Sequence, residues 1–193
     1  MQDFPNGSGL IFMKIGTHAR EPLEEIIDRK RKELDRAGRI FWGYGGSTCH
    51  PVNVVRPFAD AHAEAGKTIH LVMQKMVSQH FAEPELSKEY SDDGVDWRPI
   101  PQGIQVRGSR YAMVLDSLED TEFLLDLNAI RVAQGRTQGR SGFDYLRGHV
   151  DKGCFEVVES PVLSPVDSLA PARQQTIIGL VAKVVSPYAV FVR

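Results

Sequence analysis

Within Phe41-Trp42-Gly43-Tyr44-Gly45-Gly46-Ser47-Thr48-Cys49-His50-Pro51 the chain sets a thiol, an imidazole, two hydroxyls and three glycines directly after a strand-like aromatic run. Cys49 has the chemistry of a nucleophile and His50 that of a general base. Adjacent residues of an extended chain point to opposite sides, however, so either one needs a partner from elsewhere. His18, in Gly16-Thr17-His18 at the end of the first apolar run, is the candidate, because neighbouring strand ends converge. The competing account makes Cys49 a small buried hydrophobe and gives the histidines loop hydrogen bonds. The glycine amides with Ser47, Thr48 and a nearby helix start also suit an anion. A structural turn packed on aromatics explains the same residues, and neither the Walker lysine and spacing nor the dinucleotide fingerprint is present. Histidines 18, 50, 62, 70, 80 and 149 lack metal-ligand spacing, so no metal is expected and no cofactor is implied.

Trp42, Tyr44 and Trp97 offer a third chemistry, since aromatic side chains beside hydroxyls and amides receive a flat base. Simple core packing is the alternative for all three. The segment Arg131 to Gly148 carries Arg131, Arg136, Arg140 and Arg147 against the single acid Asp144, with four interspersed glycines. Folded over an aromatic cleft, these arginines would clamp phosphate; a solvated loop explains them equally well.

The elements that must position these residues follow from apolar spacing and breakers. Gly9 to Gly16 is an apolar run bounded by glycines and predicts a buried strand. Glu21-Pro22 opens a helix whose Leu23, Ile26, Ile27 and Leu34 share one face, with Gly38 as the stop. Arg39 to Trp42 predicts a second strand, Pro57 to Ala65 a second helix ended by Gly66, and Thr68 to Met76 a third strand. The opening is therefore β-α-β-α-β. His80 to Asp96 reads as an exposed loop. Ile104 to Arg107 and Tyr111 to Leu115 read as strands, Glu119 to Leu127 as a helix, and Cys154 to Val158 as a strand.

Residues 1–159 are expected to form one α+β domain, followed by a Pro/Ser-rich linker at 160–171 and a terminal hairpin at 172–193 that packs on the same domain. The expected architecture is a mixed, curved sheet or small barrel with flanking helices. The alternative is a three-layer α/β fold with a nucleotide-binding half, which would favour an enzyme.

Composition limits the partners. With 193 residues, 42% of them hydrophobic, the chain can bury a core, and a net charge of -2 gives no global basic field for nucleic acid. Apolar runs fall short of the ~20 residues that cross a bilayer, so no membrane partner is expected. The start of the chain lacks the pattern of a secretory signal, which together with two widely separated cysteines points to the cytoplasm and to free thiols.

The order strand with a lysine (Phe12-Met13-Lys14), helix, strand ending in Phe41-Trp42, Ser47-Thr48, Asn53, short helix, long strand (Ile69 to Lys75) resembles the front half of the PUA-like group, particularly YTH and EVE domains. The likeness covers roughly Gly9 to Lys75 and is one of element order. Those families are small α+β barrels that read modified bases or nucleotides in an aromatic pocket. The resemblance implies Trp42 as a pocket wall, Ser47, Thr48 and Asn53 as polar contacts, and Trp97 as a second wall.

The resulting expectation is a binding module for a nucleobase-containing ligand, either a free nucleotide or a base in nucleic acid. Trp42, Tyr44 and Trp97 would stack, Ser47, Thr48 and Asn53 would hydrogen-bond, and Arg136, Arg140 and Arg147 would meet phosphate. The alternatives are a hydrolase or transferase using Cys49 or His50 with His18, and a regulatory protein that binds another protein.

Overall fold

Strand β1 (Gly9–His18) alternates its side chains between two cores, and this division organises the molecule. Ile11, Met13 and Ile15 enter one apolar cluster, whereas Leu10 and Phe12 enter another on the opposite face. The computed structural model describes residues 3–45, 48–80, 82–147, 150–166 and 174–193. After β1 come α1 (Leu23–Ala37), β2 (Ile40–Tyr44), a π-helical turn (Pro51–Val55), α2 (Arg56–Glu64) and β3 (Ile69–His80). The expected β-α-β-α-β opening is present. Helix α1 buries Ile26 and Ile27 and ends at Gly38, whose φ of 67° lets its amide reach the Leu34 carbonyl at 2.8 Å.

The rest of the chain is almost entirely strand: β4 (Glu89–Ser91), β5 (Arg98–Pro99), β6 (Tyr111–Leu115), β7 (Glu119–Asp126) and β8 (Ile130–Val132) precede the short α3 (Gly142–Leu146), and β9 (Lys152–Val157), β10 (Leu163–Pro165) and β11 (Gln175–Val192) follow it. The strands form one mixed sheet in the order β10-β7-β11-β3-β1-β9-β8, with β6 and then β2 continuing from β11. β1 and β3 are parallel; the other named pairs are antiparallel. This is an α+β fold whose sheet does not close into a barrel, and the single short helix among the described residues of β4 to β11 is not the alternation of a three-layer α/β fold.

β1 and β2 are not hydrogen-bonded neighbours, yet Ile40, Trp42 and Tyr44 share a core with Ile11, Met13 and Ile15. The sheet therefore curls until its β2 end faces β1, and α1 and α2 cover the concave side through Ile26, Ile27, Phe58 and Ala59.

Two expected elements are corrected. Glu119 to Leu127 is strand β7, because pairing with β11 and β10 and burial of Phe123 and Leu125 in the second core outweigh local helix preference. The expected terminal hairpin is one bent strand. Its first half pairs with β3 and β7, its second with β6 and β4, and the register shifts between Val184 and Ala189. Tyr188, at φ 67°, lies within this bend. Leu180, Ala182 and Val184 face the first core before it, and Ala189 faces that core after it. Ile104 to Arg107 is an extended loop bridged to Leu86 rather than a strand. Within the expected linker, Leu163–Pro165 forms β10, while 167–171 lie outside the described residues. No described helix is long and apolar enough to cross a membrane.

Phe12 is 1% exposed in the second core, whereas Val77 on the overhanging end of β3 is fully exposed. Phe12→Ala is expected to cost about 3–5 kcal/mol in denaturant unfolding. Val77→Asp is expected to stay within about 0.5 kcal/mol of the wild type.

Candidate functional site

Where the sheet curls without closing, a cleft of about 400 Å³ opens between β1, β2, α1 and the 105–109 loop. Its apolar lining comes from Met13, Ile15, Leu23, Ile26 and Met76, and Trp42 and Tyr44 enter from the end of β2. Trp42 is 4% exposed and Tyr44 1%. The Tyr44 hydroxyl donates to the Cys49 carbonyl at 2.6 Å, and burial pushes its pKa far above the ordinary value.

The loop can come this close because of Gly43. A Cβ there would lie 2.5 Å from Ser109 Oγ and 3.1 Å from Val106 Cγ1, so a side chain on β2 would lift the loop off the strand.

A charged network fastens the same loop to α1. Arg29 donates to both carboxylate oxygens of Glu21, at 2.9 and 2.6 Å, and to Glu33 at 2.9 Å. Glu33 also accepts from Lys30 at 2.8 Å and from the Gln105 amide at 3.2 Å, while Lys30 and Arg29 both donate to the Gln105 carbonyl. Lys30 and Glu33 are 2% and 4% exposed, on the side of the helix that also buries Ile26 and Ile27. Burial lowers the Lys30 pKa to about 8 despite the opposing pull of Glu33. Glu21 is held below the ordinary carboxyl value by its Arg29 hydrogen bond.

Charge in the cleft is uneven. Lys14, Arg29, Lys30, Arg107 and Lys152 line it, against the carboxylates Glu21 and Asp151. Arg29 and Lys30 are neutralised by Glu21 and Glu33, whereas Lys14 and Lys152 have no hydrogen-bond or ion-pair partner for their ammonium groups among the described residues.

Of the residues proposed from sequence, His18, Trp42 and Tyr44 line the cleft. His18 Nε2 lies 3.0 Å from the Arg107 carbonyl and 3.3 Å from Ser109 Oγ, and Ser109 itself donates to that carbonyl. A carbonyl only accepts, so this network assigns the proton to Nε2 and leaves that nitrogen unable to take one from Ser109. Cys49 and His50 do not line the cleft. Cys49 is 2% exposed, and its contact with the Cys154 thiol, together with burial, holds Cys154 well above the ordinary thiol pKa. His50 packs edge-on against Tyr111 and Phe191. The structure thus does not assemble His18 with Cys49 or His50.

Thr48, Asn53, Trp97, Arg136, Arg140 and Arg147 also lie outside the cleft lining, and Ser47 is outside the described residues. Trp97 lies under the Arg193 guanidinium at 3.9 Å, and Arg147 sits over the Phe143 ring at 5.2 Å. Asn53 is exposed in the π-helical turn. The cations that line the cleft instead, Lys14, Arg107 and Lys152, lie outside the arginine segment, the first two before it in sequence and the third after it. No local pattern marks these three, although Lys14 interrupts the apolar run of β1.

Comparisons with protein-family models, curated proteins and solved structures return no match.

The unfolded chain binds more protons at Lys30 than the folded chain does between its folded pKa of about 8 and the ordinary 10.5. Stability contributed by this site therefore rises with pH across that window. Relative to Lys30→Met, the wild type is expected to gain about 3 kcal/mol from pH 8 to pH 10.5 in urea unfolding. An equal difference at both pH values would show that Lys30 is not held in this environment. Glu33→Gln, which leaves the buried ammonium without its carboxylate, is expected to cost about 3 kcal/mol at pH 7.

Proposed function

We propose that the cleft binds an anionic ligand containing a nucleobase. The observation that carries this reading is the combination of Trp42 and Tyr44 in one cleft with Arg107 and Lys152, cations that have no ion-pair partner among the described residues, within a chain of net charge -2. Positive charge gathered in one place against the overall balance favours a negative ligand. An apolar, aromatic lining with a few polar groups favours a flat ring over a hydrated ion, and a volume near 400 Å³ falls within the range of small-molecule sites. Arg107, Ser109 and the backbone of the 105–109 loop supply hydrogen-bonding groups for ring edges or a sugar. The resemblance of Gly9 to Lys75 to PUA-like domains supports the same reading at Trp42, the residue it implies as a pocket wall.

The two tryptophans allow a direct test, since Trp97 lies outside the cleft under Arg193. In a Trp97→Phe protein, titration with nucleotides is expected to change the remaining Trp42 fluorescence saturably. In Trp42→Phe the Trp97 signal is expected not to respond, and Arg107→Ala is expected to weaken binding about tenfold by calorimetry. Undiminished calorimetric affinity in both Trp42→Ala and Arg107→Ala would count decisively against the reading.

A further inference from the structure

We propose that Cys49 and Cys154 form an oxidation site, at which hydrogen peroxide joins the two sulfurs in a disulfide across the open seam of the sheet. The site lies outside the cleft lining and stands independently of the ligand bound there. The chain's two cysteines are far apart in sequence and both are free thiols. Both are nevertheless buried in the first core, where the thiols hydrogen-bond to one another.

Their places in the fold give this contact its meaning. Cys154 lies on β9 opposite Ile11 of β1, and Cys49 lies beyond the end of β2, just before the π-helical turn. Through the sheet, β2 reaches β9 only by way of β6, β11, β3 and β1. The thiol contact therefore takes the short way, across the gap that the curled sheet leaves without a hydrogen-bonded ladder. A second contact crosses beside it, from the Gln134 side-chain amide to the Val54 carbonyl. A bond between the two sulfurs would make this crossing covalent.

A buried cysteine that acts only as a small hydrophobe has no need of a second sulfur. Cys49 also holds a left-handed backbone at φ 56°, which a residue with a side chain keeps only where its surroundings over-determine it. Those surroundings include the Tyr44 hydroxyl on its carbonyl at 2.6 Å and the Cys154 thiol on its sulfur. The pair also divides the chemistry. Its bond to Cys49 and then burial hold Cys154 well above the ordinary thiol pKa, so Cys154 keeps its proton and Cys49 is the attacking sulfur.

The Cys49 thiolate attacks one peroxide oxygen, the O–O bond breaks, and the departing hydroxide takes up the proton that Cys49 gave, leaving as water. The Cys154 sulfur then attacks the sulfenic sulfur of Cys49. The S–O bond breaks, and its hydroxyl leaves with the Cys154 proton as a second water. Two thiols thus give up two electrons and two protons, and one peroxide is reduced to two waters. Exposures of 2% and 4% favour this small oxidant over a bulky disulfide, whose exchange must pass through a mixed disulfide.

The test treats the reduced protein with hydrogen peroxide or with oxidised glutathione, then counts thiols after unfolding and maps the peptides by mass spectrometry. Peroxide is expected to remove both thiols, to lower the mass by two hydrogen atoms and to join the Cys49 and Cys154 peptides, all reversed by a reductant. The cross-linked protein is expected to melt roughly 5–10 °C higher than the reduced one. In Cys154→Ser, a sulfenic acid at Cys49 is expected to be trapped by dimedone, whereas Cys49→Ser is expected to leave Cys154 unmodified.

Two intact thiols in peroxide-treated wild type, oxidation to sulfinic acid without a cross-link, or a disulfide between two copies of the chain would each overturn the site. These readouts use the wild-type protein and do not depend on either variant folding. Glutathione attached to either cysteine would overturn the choice of oxidant. A cross-linked protein that melts with the reduced one would overturn the bridging of the seam, and a sulfenic acid on Cys154 alone would overturn Cys49 as the attacking sulfur.

Discussion

The buried ion network of α1 is the interaction on which the cleft depends. Arg29, Lys30 and Glu33 converge on the backbone of Gln105, with Glu21 holding Arg29 from the other side, so a helix from the first quarter of the chain is tied to a loop near its middle. Burying these charges carries a desolvation cost, which the network offsets by giving each group a hydrogen-bonded partner of opposite sign or a backbone group. Hydrophobic side chains at Lys30 and Glu33 would bury as well, but they would leave the Gln105 amide and carbonyl without these side-chain partners. The network therefore fixes where the loop lies more than how stable the fold is.

Loop position matters because the sheet stops short of closure. Had β2 hydrogen-bonded to β1, the gap between them would be filled by the ladder. Instead β2 is held by β6, β1 is flanked by β3 and β9, and the curl of the sheet sets their ends across from one another. The helix, the loop and the two strand ends then enclose a space that none of them lines alone. Gly43 permits the last approach, since any larger residue on β2 would meet Ser109 and Val106.

Electrostatics divides the cations of the cleft into two kinds. Arg29 and Lys30 spend their charge on Glu21 and Glu33 and act as architecture, while Lys14 and Lys152 have no ion-pair partner among the described residues. A count of charged residues does not separate these roles, because the distinction lies in which carboxylate reaches which ammonium. The same holds for the histidine and cysteine candidates. His18 comes to Arg107 and Ser109, and Cys49 comes to Cys154, each through a contact spanning much of the chain.

The sequence by itself determined the elements whose signal is local. The glycine-bounded run of β1, the apolar face of α1 with its Gly38 stop, and the β-α-β-α-β opening are legible because apolar spacing and breakers act over a few residues. Trp42, Tyr44 and His18, which line the cleft, were singled out for a related reason, standing at the ends of recognisable strands. Only the tertiary structure decided that Glu119 to Asp126 is a strand, that the chain ends in one bent strand shared among four others, and that Lys30 and Glu33 are buried. It also decided that Arg107, Ser109 and Lys152, rather than Arg136, Arg140 and Arg147, join Trp42 in the cleft. Those outcomes turn on strand pairing and charge pairing between residues far apart in the chain, and such pairings are settled by the packing of the whole sheet rather than by local pattern.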